Sequence, residues 1–308
     1  MSFSSEIPNR PLNSTMLEEF VNIIYGWLED WVSRGSNVFV HRSLYGSRLA
    51  SPISNAFTTL SSFIHRTAET EQLVFRIVEA RMSELVDLEQ PSNLLDHLSR
   101  VQALIAYAII GLFKGNIRLR HVAERHLHLL GSWAEQMRQA AADAARSGQL
   151  LLDAALSALD SRNTDVDVGD LGQHRRDQCL GHIWRQFGEA EQEATLWHAW
   201  IVAESVRRTW TVARGVESVY QLLRDGTGPC PGGLMFTTRR GVWDASSAFA
   251  WTKICAEAKA GFLHLRETDK LFAPTSGESL DELATFLVQM NFRTERVRHW
   301  LEGRSLPA

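Results

Sequence analysis

The chain has 308 residues, 44% of them hydrophobic, and a formal net charge of −4. A chain of this length buries most of its unfolded surface without staples, and its acidic balance is a poor electrostatic match for nucleic acid. Its three cysteines, Cys179, Cys230 and Cys255, are odd in number and widely spaced, so they imply no disulfide framework and suit a reducing compartment.

Residues 1–14 carry prolines, asparagines and serines and predict a loose leader. They lack the basic start and apolar stretch of a secretory signal. The segment TMLEEFVNIIYGWLEDWV predicts a helix, with Ser14 or Thr15 as its cap and Phe20, Ile24, Trp27 and Trp31 as one apolar stripe. Residues 36–50 are turn-rich. Further helices are predicted from Ser54 to His65 and from Thr70 to Leu88, the second with Leu73, Ile77, Val78, Met82 and Leu85 on one side. Pro91 interrupts, and a helix from Asp96 to Phe113 follows. Its apolar run from Val101 to Phe113, about 13 residues, is too short for a bilayer and reads as a buried core helix, so no membrane span is expected.

A long helix resumes at Ile117 and passes Arg138, and the alanine-rich stretch from Ala140 to Ala158 favours helix by propensity. Residues 161–176 are polar with two glycines and predict an internal loop. Helical periodicity returns from Cys179 to Phe187 and from Glu189 to Leu223. The tract DGTGPCPGG is a rigid loop. Helices from Ser246 to Ala260 and from Ser279 to Leu301 complete the chain, the last with Ser279 and Glu282 at capping-box spacing. Only FVHRSLY and LMFTTRR resemble strands, and both are brief. The expected fold is all-α, one large irregular helical bundle over 15–304 with an apolar interior pocket.

Few motifs point to chemistry. His121, Glu124 or Arg125, and His128 share a helix face, but no second helix offers the partner ligands of a metal site, so no metal is expected. In WHAWIVAESVRRTW, Trp197, Trp200, Glu204 and Arg208 line one face, with Glu204 four residues before Arg208, the favourable order for a helical pair. A buried ion pair that fixes packing is one reading. The other makes Glu204 an acid or base and Arg207 or Arg208 an anion clamp, and a flanking arginine opposes the raised pKa that acid chemistry needs. DGTGPCPGG lacks the Gly-Lys-Ser/Thr ending of a phosphate loop, and its prolines remove amide donors. Cys230 between two prolines is either a reactive thiol or a small residue in a tight loop. No GxSxG elbow is present. Any catalysis is expected to be cofactor-free, driven by orientation in a shaped apolar pocket.

Three tracts, 73–86, 98–137 and 200–251, resemble the C-terminal regulatory region of fungal zinc-cluster transcription factors. Ala-Glu-Ser-x-Arg-Arg-Thr-Trp, with Glu204, Arg207, Arg208 and Trp210, is the most specific part, together with Cys230 to Gly233 and Trp243. The resemblance implies a helical, largely apolar domain that regulates transcription, often of secondary-metabolite genes. The three remote cysteines cannot build the six-cysteine zinc cluster that contacts DNA in that family, so direct nucleic-acid contact is not expected.

Two main readings follow, beside a third in which the chain only binds or sequesters a molecule without turning it over. One is a stand-alone regulator, intracellular in nucleus or cytoplasm, acting through an apolar small molecule or a protein partner. The other is a repurposed cofactor-independent cyclase, Diels–Alderase or isomerase working on a terpenoid or polyketide. Trp197, Trp200, Glu204, Arg207, Arg208, Trp210, Cys230 and Trp243 are the candidate ligand contacts, with Glu204 and Arg208 as catalytic candidates.

Overall fold

In a computed structural model, residues 14–46, 49–160, 173–227, 235–257, 262–264 and 280–291 are described. Among them the fold is all-α, with ten helices and one short two-stranded ribbon. The helices are α1 (Ser14–Arg34), α2 (Ser51–Ile64), α3 (Glu71–Val86), α4 (Leu94–Ile109), α5 (Ile117–Arg146), α6 (Gln149–Asp160), α7 (Gln173–Gln186), α8 (Glu189–Asp225), α9 (Ala248–Glu257) and α10 (Glu282–Asn291).

The centre is α4. Every residue from Leu98 to Leu112 is buried, because α2, α3, α5 and α8 all pack around it. A helix enclosed on all sides must be apolar all round, and that is what the run from Val101 encodes. Asn93 caps its start by accepting from the Asp96 N–H at 2.9 Å. It ends in a π-helical turn, Ile110–Lys114. There Gly111 lies so close to α5 that an added Cβ would fall 2.6 Å from the Ala123 Cβ. Glycine is the residue that permits this approach.

The stripe of Phe20, Ile24, Trp27 and Trp31 is buried as its spacing predicts, with Trp27 and Phe20 set edge-to-face against Phe286 of α10. One cluster of buried apolar side chains runs through α1–α5, α8 and α10. A smaller one joins Leu152 and Ala155 of α6 to Ile183 of α7 and to Phe187 just beyond its end.

Several expectations are corrected. On α3 the buried face is Val74, Phe75, Val78, Met82 and Leu85, while Leu73 is 52% exposed. The alanine-rich stretch is helical as its propensity favours, but it is divided between two helices. It breaks after Arg146 at Ser147 and Gly148, whose φ of 69° ends α5 before α6 begins. FVHRSLY is no strand but a bend and turns, whereas LMFTTRR holds β1 (Met235–Thr237), antiparallel to β2 (Phe262–His264). The cap of α10 is Asp281, which accepts from the Ala284 N–H at 2.8 Å. Glu282 reaches away from that helix and accepts from the Trp27 indole, also at 2.8 Å. The leader to residue 13, Ser279 and most of the loop at 161–176 lie outside the described residues.

Candidate functional site

The 37-residue helix α8 carries the tract singled out in the sequence, and it touches α1, α4, α5, α6, α9 and β1. Helical spacing puts Glu204 and Arg208 on one buried face, where both are fully enclosed. Arg208 Nε donates to Glu204 Oε1 at 2.9 Å, and Glu204 Oε1 also accepts from the Thr237 N–H at 3.0 Å. Glu204 Oε2 accepts from both Nε and Nη2 of Arg207, each at 2.8 Å. The remaining Arg208 donors reach outward from the helix. Nη1 meets the Val38 carbonyl at 3.2 Å, while Nη2 meets the Thr237 carbonyl at 3.1 Å and the carboxylate of Asp281. The guanidinium also sits 4.3 Å from the centre of the Trp243 ring.

One arginine therefore joins α8 to the loop after α1, to β1 and to the cap of α10. Burial lifts the Glu204 carboxyl, but Arg208, Arg207 and the Thr237 N–H outweigh it and hold the group below its usual range. Burial presses the Arg208 guanidinium down, and Asp281 and Glu204 more than reverse that. A carboxylate held ionised with four donors on it is badly placed to take up or release a proton at neutral pH.

The loop after α1 is buried as well. Asn37, Val38, Phe39, Val40 and His41 are all buried. Asn37 Oδ1 accepts from the Phe39 and Val40 amides, and its Nδ2 donates to the Trp27 carbonyl at 3.0 Å. The loop carbonyls then need donors, since a buried peptide group without a partner is costly. Trp243 Nε1 serves Asn37, Arg208 serves Val38, and Gln102 Nε2 of α4 serves Phe39 at 2.7 Å. Gln102 is satisfied in turn by the Tyr45 hydroxyl at 2.7 Å and by Thr209 at 3.1 Å. Nothing in the local pattern of residues 36–50 signals this, since all three donors are remote in sequence.

Beside the ion network lies an aromatic cluster. His41 meets Trp243 and Trp197 edge-on at 5.0 and 6.1 Å, and Trp200 lies between Trp243 at 6.4 Å and Trp251 at 5.6 Å. Burial depresses the His41 imidazole to about 4, with Arg42, Arg208 and His198 adding to the shift and the Trp243 backbone opposing it. Among the described residues the indole N–H groups of Trp197 and Trp251 find no hydrogen-bond partner. Sequence reasoning missed His41 and Trp251, which carry no spacing signal relative to α8.

The candidates thus fall into three groups. Trp197, Trp200, Glu204, Arg207, Arg208 and Trp243 are brought together. Trp210 points the other way, toward Glu135 of α5. Cys230, with the rest of the Cys230–Gly233 tract, lies outside the described residues. On α5, His121 and His128 are exposed, and Glu124 accepts from the Tyr220 hydroxyl. Among the described residues no group of His, Cys, Asp and Glu could hold a metal ion, and no helix is long and apolar enough to cross a membrane.

A surface cleft of about 360 Å³ opens elsewhere, between the end of α1, the loop that follows and α2. Trp31, His41, Tyr45 and Phe57 help to line it, and none of the candidates on α8 does.

No protein-family model matches the chain, and no solved structure does. Over 271 residues, 87% of its length, it is 27% identical to Transcription factor gsfR2 of Penicillium aethiopicum. The match takes in 57% of that relative, so the chain spans little more than half the length of the protein it resembles. The helical body organised around Arg208 is thus, over most of its length, similar to a fungal transcription factor.

Proposed function

We propose that this chain is a regulatory domain of the transcription-factor type, acting over 15–304 in the control of secondary-metabolite genes. It works through an apolar small molecule or a protein partner, in the nucleus or cytoplasm, and makes no base contacts of its own. The observation that carries this reading is the similarity to a transcription factor over 87% of the chain. The acidic net charge of −4 supports a role away from the DNA backbone. Glu204 and Arg208 act here as a strut, since a carboxylate kept low by two arginines fits packing better than proton transfer.

Deleting the gene and sequencing the transcripts of the host tests the proposal. Changed expression of neighbouring biosynthetic genes, restored by the wild-type copy, is the expected result. Unchanged transcripts together with an accumulated intermediate would overturn it. Turnover of that intermediate by the purified chain, without metal or nucleotide, would assign the cyclase or Diels–Alder type reading instead.

A further inference from the structure

The cleft between α1 and α2 has features of a built site. Its volume of about 360 Å³ falls in the range of small-molecule pockets. Its walls include Trp31 and Phe57, set edge-to-face at 5.9 Å. Leu49 stands at its edge, 62% exposed. The polar side chains of the lining divide into two sets. Tyr45 commits its hydroxyl to Gln102 and Thr58 commits its own to the Ser54 carbonyl. Arg42 is exposed and forms no ion pair among the described residues. His41 is buried, with its Nδ1 accepting from the Ser43 N–H at 3.1 Å and its ring set against Trp243 and Trp197.

A cleft with apolar aromatic walls and one uncommitted cation in its lining selects a definite kind of guest. Aromatic rings favour a flat apolar body, which they meet edge-on or offset. The guanidinium favours an acidic group on that body, because charge-assisted hydrogen bonds are the stronger ones. The chain as a whole is acidic, at −4, so its long-range field does not attract anions, and recognition has to be local.

We propose that this cleft binds a small aromatic molecule bearing one acidic group. The site shares His41 with the indole cluster, but none of the α8 candidates lines it, and its test reads binding alone, whether or not the chain regulates transcription.

Two fluorescent probes test it on the full natively folded chain. 1-Anilinonaphthalene-8-sulfonate has an aromatic body and one sulfonate, and N-phenyl-1-naphthylamine has the same body without the charge. The sulfonate is expected to bind one-to-one with a dissociation constant on the order of 10 µM. Thr58→Trp, which plugs the cleft from an exposed position, is expected to weaken it at least about tenfold. Arg42→Gln is expected to weaken the sulfonate about fivefold and leave the neutral probe unchanged. Leu49→Glu, at the rim, is a second block in case the tryptophan variant does not fold, as judged by its near-ultraviolet circular dichroism. No saturable binding by the wild-type chain would overturn the site, and so would full affinity in both blocking variants. Equal loss of both probes in Arg42→Gln, or loss of neither, would overturn the requirement for an acidic group.

Discussion

At Arg208, one acceptor from its own helix and three from other parts of the chain converge on one guanidinium. Removing one partner of such a buried pair strands the rest, at a cost of about 3–5 kcal/mol. Arg208→Met is therefore expected to lower the urea midpoint severely. Arg208→Lys is not expected to rescue it, since a single ammonium cannot span Glu204, Asp281 and two carbonyls. Arg207→Met is expected to cost less, about 1–3 kcal/mol, because Arg207 is partly exposed, at 26% of its side chain, yet supplies both donors to the buried Glu204 Oε2. His41 adds a pH effect. Its imidazole titrates near 4 in the folded chain and near 6.5 when unfolded. The neutral form is thus favoured by folding, so the contribution is complete above pH 6.5 and is lost as pH falls toward 4. The loss reaches about 3 kcal/mol, and it should be absent from the pH-stability profile of His41→Gln.

At the scale of elements, the helix–helix contacts are set by small residues and caps as much as by apolar faces. Gly111→Ala would drive a methyl onto Ala123, and a destabilisation of about 1–3 kcal/mol is expected in thermal melts. Much of the helical layout was legible in the sequence. The stripe from Phe20 to Trp31 and the apolar run beginning at Val101 both follow from local periodicity, which depends only on neighbours along one helix. The Glu204–Arg208 pair was legible for the same reason. Asp281 was not, because which distant carboxylate meets an arginine depends on how helices dock. Leu73 was misplaced because α3 rotates its buried face toward Val74 and Phe75, a choice made by the partner helices. The burial of residues 37–41 was hidden because the sequence there carries turn chemistry, and turns usually lie at the surface.

Over the whole molecule, stability should be uneven. One cluster ties α1–α5, α8 and α10 together, while α6 and α7 share only a small one of their own. Hydrogen exchange is expected to find the slowest amides in α4, opening only with global unfolding, and faster amides in α6 and α7, which can open as a unit. Uniform protection across all of these helices would contradict this division of the core.

The buried loop at 37–40 also sets a schedule for folding. Its carbonyls wait for donors 63, 170 and 206 positions further along the chain. Until Trp243 has left the ribosome, that early segment holds bare peptide oxygens that water must cover. Maturation of the first third of the protein is therefore held back by the arrival of the last. Closing such long loops is slow, and a polypeptide cut short before Trp243 should stay open to proteases at its front end.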